Sequence, residues 1–222
     1  MSHSETFKPY CPVRPTEDKM RQQIETDLTQ IWNRRSVRHF SSDPIPLDVV
    51  EKAIAIASSA PSGAHKQPWT FCLVTNKDLQ RSIRVAAEKE ECQNYAGRMS
   101  DEWLSDLKPL GTNADKPFLE EAPALIVMFK QTYGLKNQER SLHYYVNESV
   151  GIAAGFLISA LHRAGLSTLT HTPSPMNFLE QLLQRPANEK AYLLLPVGYA
   201  HADALVPDLS RKPAEDYLVK YL

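Results

Sequence analysis

Hydrophobic positions along this chain follow two rhythms. Four short apolar runs, Trp69–Thr75, Ala124–Phe129, Leu166–Thr172 and Ala191–Val197, are rich in branched or aromatic residues and bounded by turn residues, so each predicts a strand. Helix-period segments lie around them. Glu17 to about Asn33 predicts a polar helix, and Pro44, Pro46 and Asp48 introduce a second over Val49–Ser58, with apolar positions at Val49, Val50, Ile54 and Ala57. A charged helix is expected from Lys77 to about Tyr95 and a short one over Met176–Gln184. Asn147–Ala164 is apolar almost all round and must lie in the core or in a subunit interface. Its small residues Gly151, Ala153, Ala154 and Gly155 permit close backbone approach.

The remaining segments are punctuation. Residues 1–16, with Pro9, Pro12 and Pro15, read as an extended arm, and Ser58–Lys66 as a turn-rich loop. Residues 96–120 have the weakest periodicity; Gly97, Pro109, Gly111 and Pro117 interrupt short helical pieces, as in a mobile lid or an ordinary long loop. Residues 200–222 are too polar to nucleate a core and are expected to wrap over something else. Strands and helices without an internal repeat predict one α+β domain over residues 17–199, between the arm and the tail.

Composition narrows the function classes. With 222 residues the chain fits one domain with a full core. A net charge of −1 gives no general attraction to nucleic acid or anionic lipid, so any anion site must be local. The longest apolar run, Val150–Leu161, is too short to span a bilayer, and no secretory signal opens the chain. The expectation is therefore no membrane, no nucleic acid and a cytoplasmic location. Cys11, Cys72 and Cys92 are odd in number and lack CxxC spacing, which argues against a disulfide framework or a zinc site.

Local chemistry is concentrated in Arg34-Arg35-Ser36-Val37-Arg38, with Arg211 far downstream. Guanidinium groups offer bidentate donors to phosphate oxygens, and a serine hydroxyl adds another; a solvated basic corner at a helix end is the other reading. Ser62 and Gly63, in Pro61-Ser-Gly-Ala-His65, offer a donor and a close backbone approach, or an ordinary turn. Glu91 and Tyr95, four apart, share a helix face, and Lys116 follows in the irregular segment; together they would hold a zwitterion, or are surface charge. Thr168, Thr170, His171 and Thr172 end a strand, where hydroxyls can reach a cofactor edge or simply suit a strand. His65 and His171 lack partners at metal-ligand spacing, so no metal is expected. GxSxG, P-loop and GxGxxG motifs are missing. A cofactor carrying one phosphate fits what remains.

The order Arg34–Arg38, then Ala60-Pro-Ser-Gly-Ala-His65, then Pro68-Trp-Thr-Phe71 resembles the flavin-binding half of the nitroreductase superfamily. The likeness runs from about Trp32 to Lys212, through Phe129-Lys-Gln131, His143-Tyr-Tyr145, Pro196-Val-Gly-Tyr199 and Pro207-Asp-Leu209. Glu91, Tyr95 and Lys116 are similar to the Glu-Tyr-Lys set of its deiodinase branch, which grips the amino-acid end of the substrate. The resemblance implies a mixed sheet flanked by helices, in a domain-swapped homodimer whose terminal arms are exchanged and whose interface holds two FMN sites. It implies that Arg34, Arg35, Ser36, Arg38 and Arg211 hold FMN by its phosphate and ring edge, and that Ser62 and Gly63 line the flavin. Thr172 would donate to flavin N5, the one position with a catalytic role. The Ala64 N–H would meet the substrate phenolate, Glu91 its ammonium group, and Lys116 and Tyr95 its carboxylate, with Trp103 packing above.

The activity so implied is reductive removal of iodide, and also bromide or chloride, from halogenated tyrosines by stepwise electron transfer. Electrons would come from NAD(P)H directly or through a reductase. The competing readings are a general FMN-dependent nitro- or quinone reductase and a non-catalytic protein that binds flavin or halotyrosine. Two departures accompany the resemblance. The chain opens on a short polar arm where mammalian members have a membrane anchor, as expected of a soluble bacterial member, and the segments between Tyr133 and Leu142 and after Thr172 differ.

Overall fold

The structure, a computed structural model of the chain, describes residues 8–136 and 139–222. It divides into an N-terminal unit ending at Arg34 and a main unit, Arg35–Leu222. The first seven residues of the expected arm lie outside the described part. Pro9, Pro12 and Pro15 are exposed, without regular structure.

The N-terminal unit is built on helix α1, Glu17–Trp32. Thr16 caps it by accepting the Lys19 N–H at 3.4 Å, and Glu17 and Asp18 complement the dipole in its first turn. The helix is less polar than its composition indicates. Met20, Ile24, Leu28 and Trp32 recur every fourth residue, each at least 47% exposed, so one side is an uncovered apolar stripe.

In the main unit, helix α2 (Leu47–Ser58) begins two residues earlier than its pattern predicts, straight after Pro46, whose fixed φ suits the entry to a helix. Strand β1 (Trp69–Val74) and helix α3 (Lys77–Gln93, capped by Asn76) follow as expected. The segment 96–120 contains the interrupted helical pieces foreseen for it: α4 (Asp101–Leu107), a 3-10 turn at Lys108–Leu110, and α5 (Phe118–Glu121). Strand β2 (Ala124–Gln131) leads into a hairpin that the apolar pattern does not reveal, β3 (Tyr133–Lys136) and β4 (Glu139–Leu142). Helix α6 covers Val146–Arg163 and α7 covers Asn177–Leu182, with β5 (Ser167–Thr168) between them and β6 (Glu189–Gly198) last.

The main sheet runs in the order β1-β2-β6-β5 with antiparallel ladders. A parallel bridge from Ser36 to Thr168 makes its edge mixed. The strand foreseen over Leu166–Thr172 is laddered only at Ser167 and Thr168, with one further bridge from His171 to Leu194. Beta propensity supplies extended residues, whereas a ladder also requires a neighbour in register.

Both faces of the sheet are covered, which is why β2 is apolar without alternation. Ala124, Ile126 and Met128 pack with α2 and α6 residues such as Val50, Ala57, Val150 and Leu157. Leu125, Val127 and Phe129 point the other way, onto Ile83 and Ala87 of α3, Leu119 of α5 and Leu179 of α7. Helix α6 is buried through Ala153 and Ala154 but leaves Ile152 and Phe156 exposed by 43% and 42%. Of the alternatives for this helix, core or interface, the core takes one side only. Beyond Ala200 the tail is irregular apart from a turn at Ala214–Asp216; Ala204 and Val206 pack against the core, and from Asp208 onward the chain is exposed.

Candidate functional site

Residues 36–41 run between the sheet edge and the start of the tail. Val37 N–H donates to Thr168 O at 3.1 Å, Ser41 N–H to Tyr199 O at 2.9 Å, and His201 N–H to His39 O at 3.0 Å. The Arg35 guanidinium donates to the Pro207 carbonyl. The arginine-serine segment is thus held as extended backbone. Arg34 closes the N-terminal unit, its N–H donating to Ile31 O at 3.1 Å. Arg211 is exposed on the tail.

Arg38 points under the 96–120 segment, where it lines a cavity of about 160 Å³ with Gly111, Thr112, Asn113, Asp115, Pro117 and Phe118. Desolvation lowers its pKa, and only the Tyr95 phenol acts in the opposite direction. A guanidinium partly withdrawn from water, with no carboxylate partner among the described residues, is suited to an anionic guest.

Helix α3 widens into one π turn at Asn94–Arg98, closed by Gly97 at φ 146°. Such turns recur at functional sites because the extra residue re-aims side chains. Here the turn follows Glu91 and carries Tyr95. Lys116, arriving from the far end of the 96–120 segment, lies with Nζ 3.2 Å from Glu91 Oε2 and 5.7 Å from the Tyr95 ring centroid. Glu91 and Lys116 are buried. The Lys116 ammonium also donates to Thr112 Oγ1 at 3.2 Å and to the Asn113 carbonyl. The three residues singled out from the sequence therefore meet as a group, and Trp103 on α4 is 52% exposed.

The Ser62–Ala64 loop is built separately. Ser62 Oγ accepts the Gln67 N–H at 2.9 Å, and Gly63 N–H donates to Ser149 Oγ at 3.4 Å. A Cβ on Gly63 would fall 2.6 Å from the Tyr144 carbonyl oxygen, so the close approach glycine permits is to this chain's own backbone. Ala64, His65 and Gln67 all sit at positive φ (49°, 54° and 47°), strain that clusters at functional loops. Among the described residues, the hydrogen bonds of Ser62 and Gly63 run within the loop and to α6, not to the Glu91 group.

Thr172, four residues beyond β5 and next to the His171 bridge, is exposed. The loop after it is tied to α3 through Asn94 Nδ2, which donates to Ser174 O at 2.9 Å. The neighbouring His171 is a residue the sequence weighed only as a metal ligand. It is buried against the Phe118 ring, edge-on at 5.4 Å. Among the described residues its Nε2 finds no hydrogen-bond partner. Desolvation, then the charges of Lys116 and Arg38, push its pKa down to about 3. No group of three or more His, Cys, Asp or Glu residues is gathered for a metal among the described residues. None of their helices is long and apolar enough to cross a membrane.

Residues 31–199 match the family described as the nitroreductase family. The iodotyrosine deiodinase of Haliscomenobacter hydrossis is 51% identical over 222 residues, covering 100% of both chains. That of Danio rerio is 47% identical, over 95% of this chain and 72% of its own length. Among solved structures, oxidized iodotyrosine deiodinase bound to FMN and 3-iodo-L-tyrosine superposes with a TM-score of 0.75 at 30% identity, covering 88% of this chain and 98% of that one. The chain belongs to the nitroreductase family and, within it, to the iodotyrosine deiodinases.

Proposed function

We propose that this protein is an FMN-dependent reductive dehalogenase of halogenated tyrosines, removing iodide and also bromide or chloride. The observation that carries the reading is the buried Glu91–Lys116 pair beside the Tyr95 ring. An ion pair withdrawn from water costs desolvation energy and is weak evidence of stability alone. An amino-acid zwitterion would replace it with two complementary pairs, its ammonium on Glu91 and its carboxylate on Lys116 and the Tyr95 hydroxyl.

FMN, when bound, supplies two electrons in single steps, so that with one proton the carbon–halogen bond becomes carbon–hydrogen and halide leaves. The desolvated Arg38 supports an anionic cofactor here, with Arg35, Ser36 and Arg211 completing the phosphate and ring-edge contacts. Ser62 and Gly63 line the flavin. Thr172 offers its hydroxyl to the ring at N5, and the strained Ala64 turn aims its N–H at the phenolate. The 96–120 segment closes over the zwitterion and excludes water.

The active form is a homodimer. The α1 stripe, Ile152 and Phe156 of α6, and the tail residues Leu205, Tyr217, Val219 and Tyr221 are large apolar side chains left exposed in one chain, more than an isolated soluble protein carries without a partner surface. A second copy covers them with exchanged termini and completes the site by bringing the Ser62–Ala64 loop to the Glu91 group. Cys11, Cys72 and Cys92 are unpaired, consistent with the cytoplasm, where NAD(P)H or a reductase supplies electrons.

Titration of the oxidised FMN-loaded protein with 3-iodotyrosine, followed by flavin fluorescence, tests the reading together with halide release under a chemical reductant. Saturable quenching and stoichiometric iodide are expected. Equal affinity for iodotyrosine and a simple iodophenol would instead indicate a general reductase, and binding without halide release a carrier.

A further inference from the structure

Arg84 holds together a charged knot that lies outside the residues assigned to substrate. It stands on α3, two turns before Glu91, and is largely withdrawn from solvent. Its Nε donates to Glu88 Oε1 at 2.7 Å, Nη2 to Asp115 Oδ1 at 2.9 Å, and Nη1 to Glu120 Oε2 at 3.5 Å. The three carboxylates come from three places: its own helix, the end of the 96–120 lid, and α5. Glu88 Oε1 also accepts the backbone N–H of Lys116 at 2.8 Å. Lys116 is therefore fixed twice, through its own backbone by Glu88 and through the preceding residue by Arg84. That double anchorage is what delivers its ammonium to Glu91, 3.2 Å away.

We infer that Arg84 is a positioning residue for the zwitterion site, latching the C-terminal end of the lid to α3 so that Lys116 stays in register with Glu91 and Tyr95. The inference rests on the proposed halotyrosine reading. A planar fork that engages carboxylates from three segments has no lysine equivalent, since an ammonium is a single point of charge. The latch is also partly open to solvent. It can therefore release and re-form as the lid admits its ligand, unlike the buried pair it aligns.

The test uses the FMN-loaded enzyme with Arg84→Lys, Arg84→Met, Asp115→Asn and the double variant Arg84→Met/Asp115→Asn. For Arg84→Met, KM and Kd for 3-iodotyrosine are expected to rise about tenfold, the scale of one coupled pair. Arg84→Lys should fall between it and the parent. The saturated rate, FMN affinity and kcat/KM for 2-iodophenol, which has no zwitterion, should stay near parental values. The double variant should be little worse than Arg84→Met, because both changes open one latch. Arg84 variants that lose iodotyrosine and iodophenol turnover equally, or that lose FMN, overturn the inference in favour of a structural role. Unchanged iodotyrosine binding in Arg84→Met overturns it outright. A parent enzyme that does not prefer iodotyrosine to iodophenol removes the zwitterion reading itself, a failure distinguishable because it precedes any substitution.

Discussion

The Lys116 ammonium lies 3.2 Å from the Glu91 carboxylate, with only 3% and 8% of the two side chains exposed. Each charge is held by the other, and the ammonium also by Thr112 and Asn113 of the 96–120 segment. Removing one member leaves its partner charged and buried.

Glu91→Gln or Lys116→Gln should therefore raise KM for iodotyrosine roughly thirtyfold or more, from a loss of about 2–5 kcal/mol, while FMN remains bound. Stability should fall too, because breaking a buried pair typically costs about 3–5 kcal/mol. Glu91→Gln combined with Lys116→Met separates the two effects. Stability should return, since a neutral pair of similar volume is tolerated, but affinity for the zwitterion should not. Recovery of both in urea and fluorescence titrations would show that the pair serves the fold alone.

How much of this was legible in the sequence depended on the range of the interactions. Strands β2 and β6 announced themselves because the sheet is covered on both faces and demands continuous apolar runs. The β3–β4 hairpin did not, since Leu135 and Leu142 stay exposed by 65% and 73% and no buried face imposes alternation. Helix α1 is polar in composition, although Met20, Ile24, Leu28 and Trp32 stand four apart on one side. Glu91 and Tyr95 were readable as one face by their spacing. The arrival of Lys116 from the 96–120 segment is legible only through a resemblance, and the role of Arg84 has no local signal. Glu88 stands at helical spacing from Arg84, but Asp115 and Glu120 lie 31 and 36 residues away, where no helical spacing reports them.

Gly63→Ala should be costly despite adding one methyl group. The new Cβ would sit 2.6 Å from the Tyr144 carbonyl oxygen and 3.0 Å from the Tyr145 ring, and backbone cannot swing aside as a flexible side chain can. Overpacking of this kind costs about 1–3 kcal/mol, and for a chain of this length each kcal/mol lowers Tm by about 2–4 °C. Displacement of Ser62 and Ala64 should weaken FMN binding in parallel. A variant with unchanged Tm and FMN affinity would mean that the loop and the start of α6 separate freely.

Thr172→Ala addresses the proposed donor to the flavin ring. The residue is exposed beyond β5, so removing its hydroxyl should leave stability nearly untouched. Dehalogenation should fall about a hundredfold, as loss of one aimed donor costs on the order of 3 kcal/mol. Two-electron reduction of nitroaromatics should be spared, because it does not depend on single-electron steps. Parallel losses in both reactions, with FMN retained, would remove the special role of the hydroxyl.

His171 should give the fold a measurable dependence on pH. Its ring is buried against Phe118, faces the charges of Lys116 and Arg38, and has a pKa of about 3 in the folded protein against an ordinary 6.5. Below pH 6.5 the unfolded chain takes up a proton that the native ring refuses, so the unfolded state binds more protons and stability rises with pH. The contribution is complete above pH 6.5 and declines as the pH falls toward 3. By pH 5 about 2 kcal/mol of it has been lost, at 1.36 kcal/mol per unit. His171→Leu should abolish this part of the slope. It should cost little near pH 7.5, because the ring it replaces carries an Nε2 without a partner among the described residues, itself a penalty of about 1–3 kcal/mol. Urea midpoints at pH 7.5 and 5.0, at fixed protein and FMN concentrations, provide the measurement. Equal acid losses in parent and variant would mean that the ring is protonated in the native state.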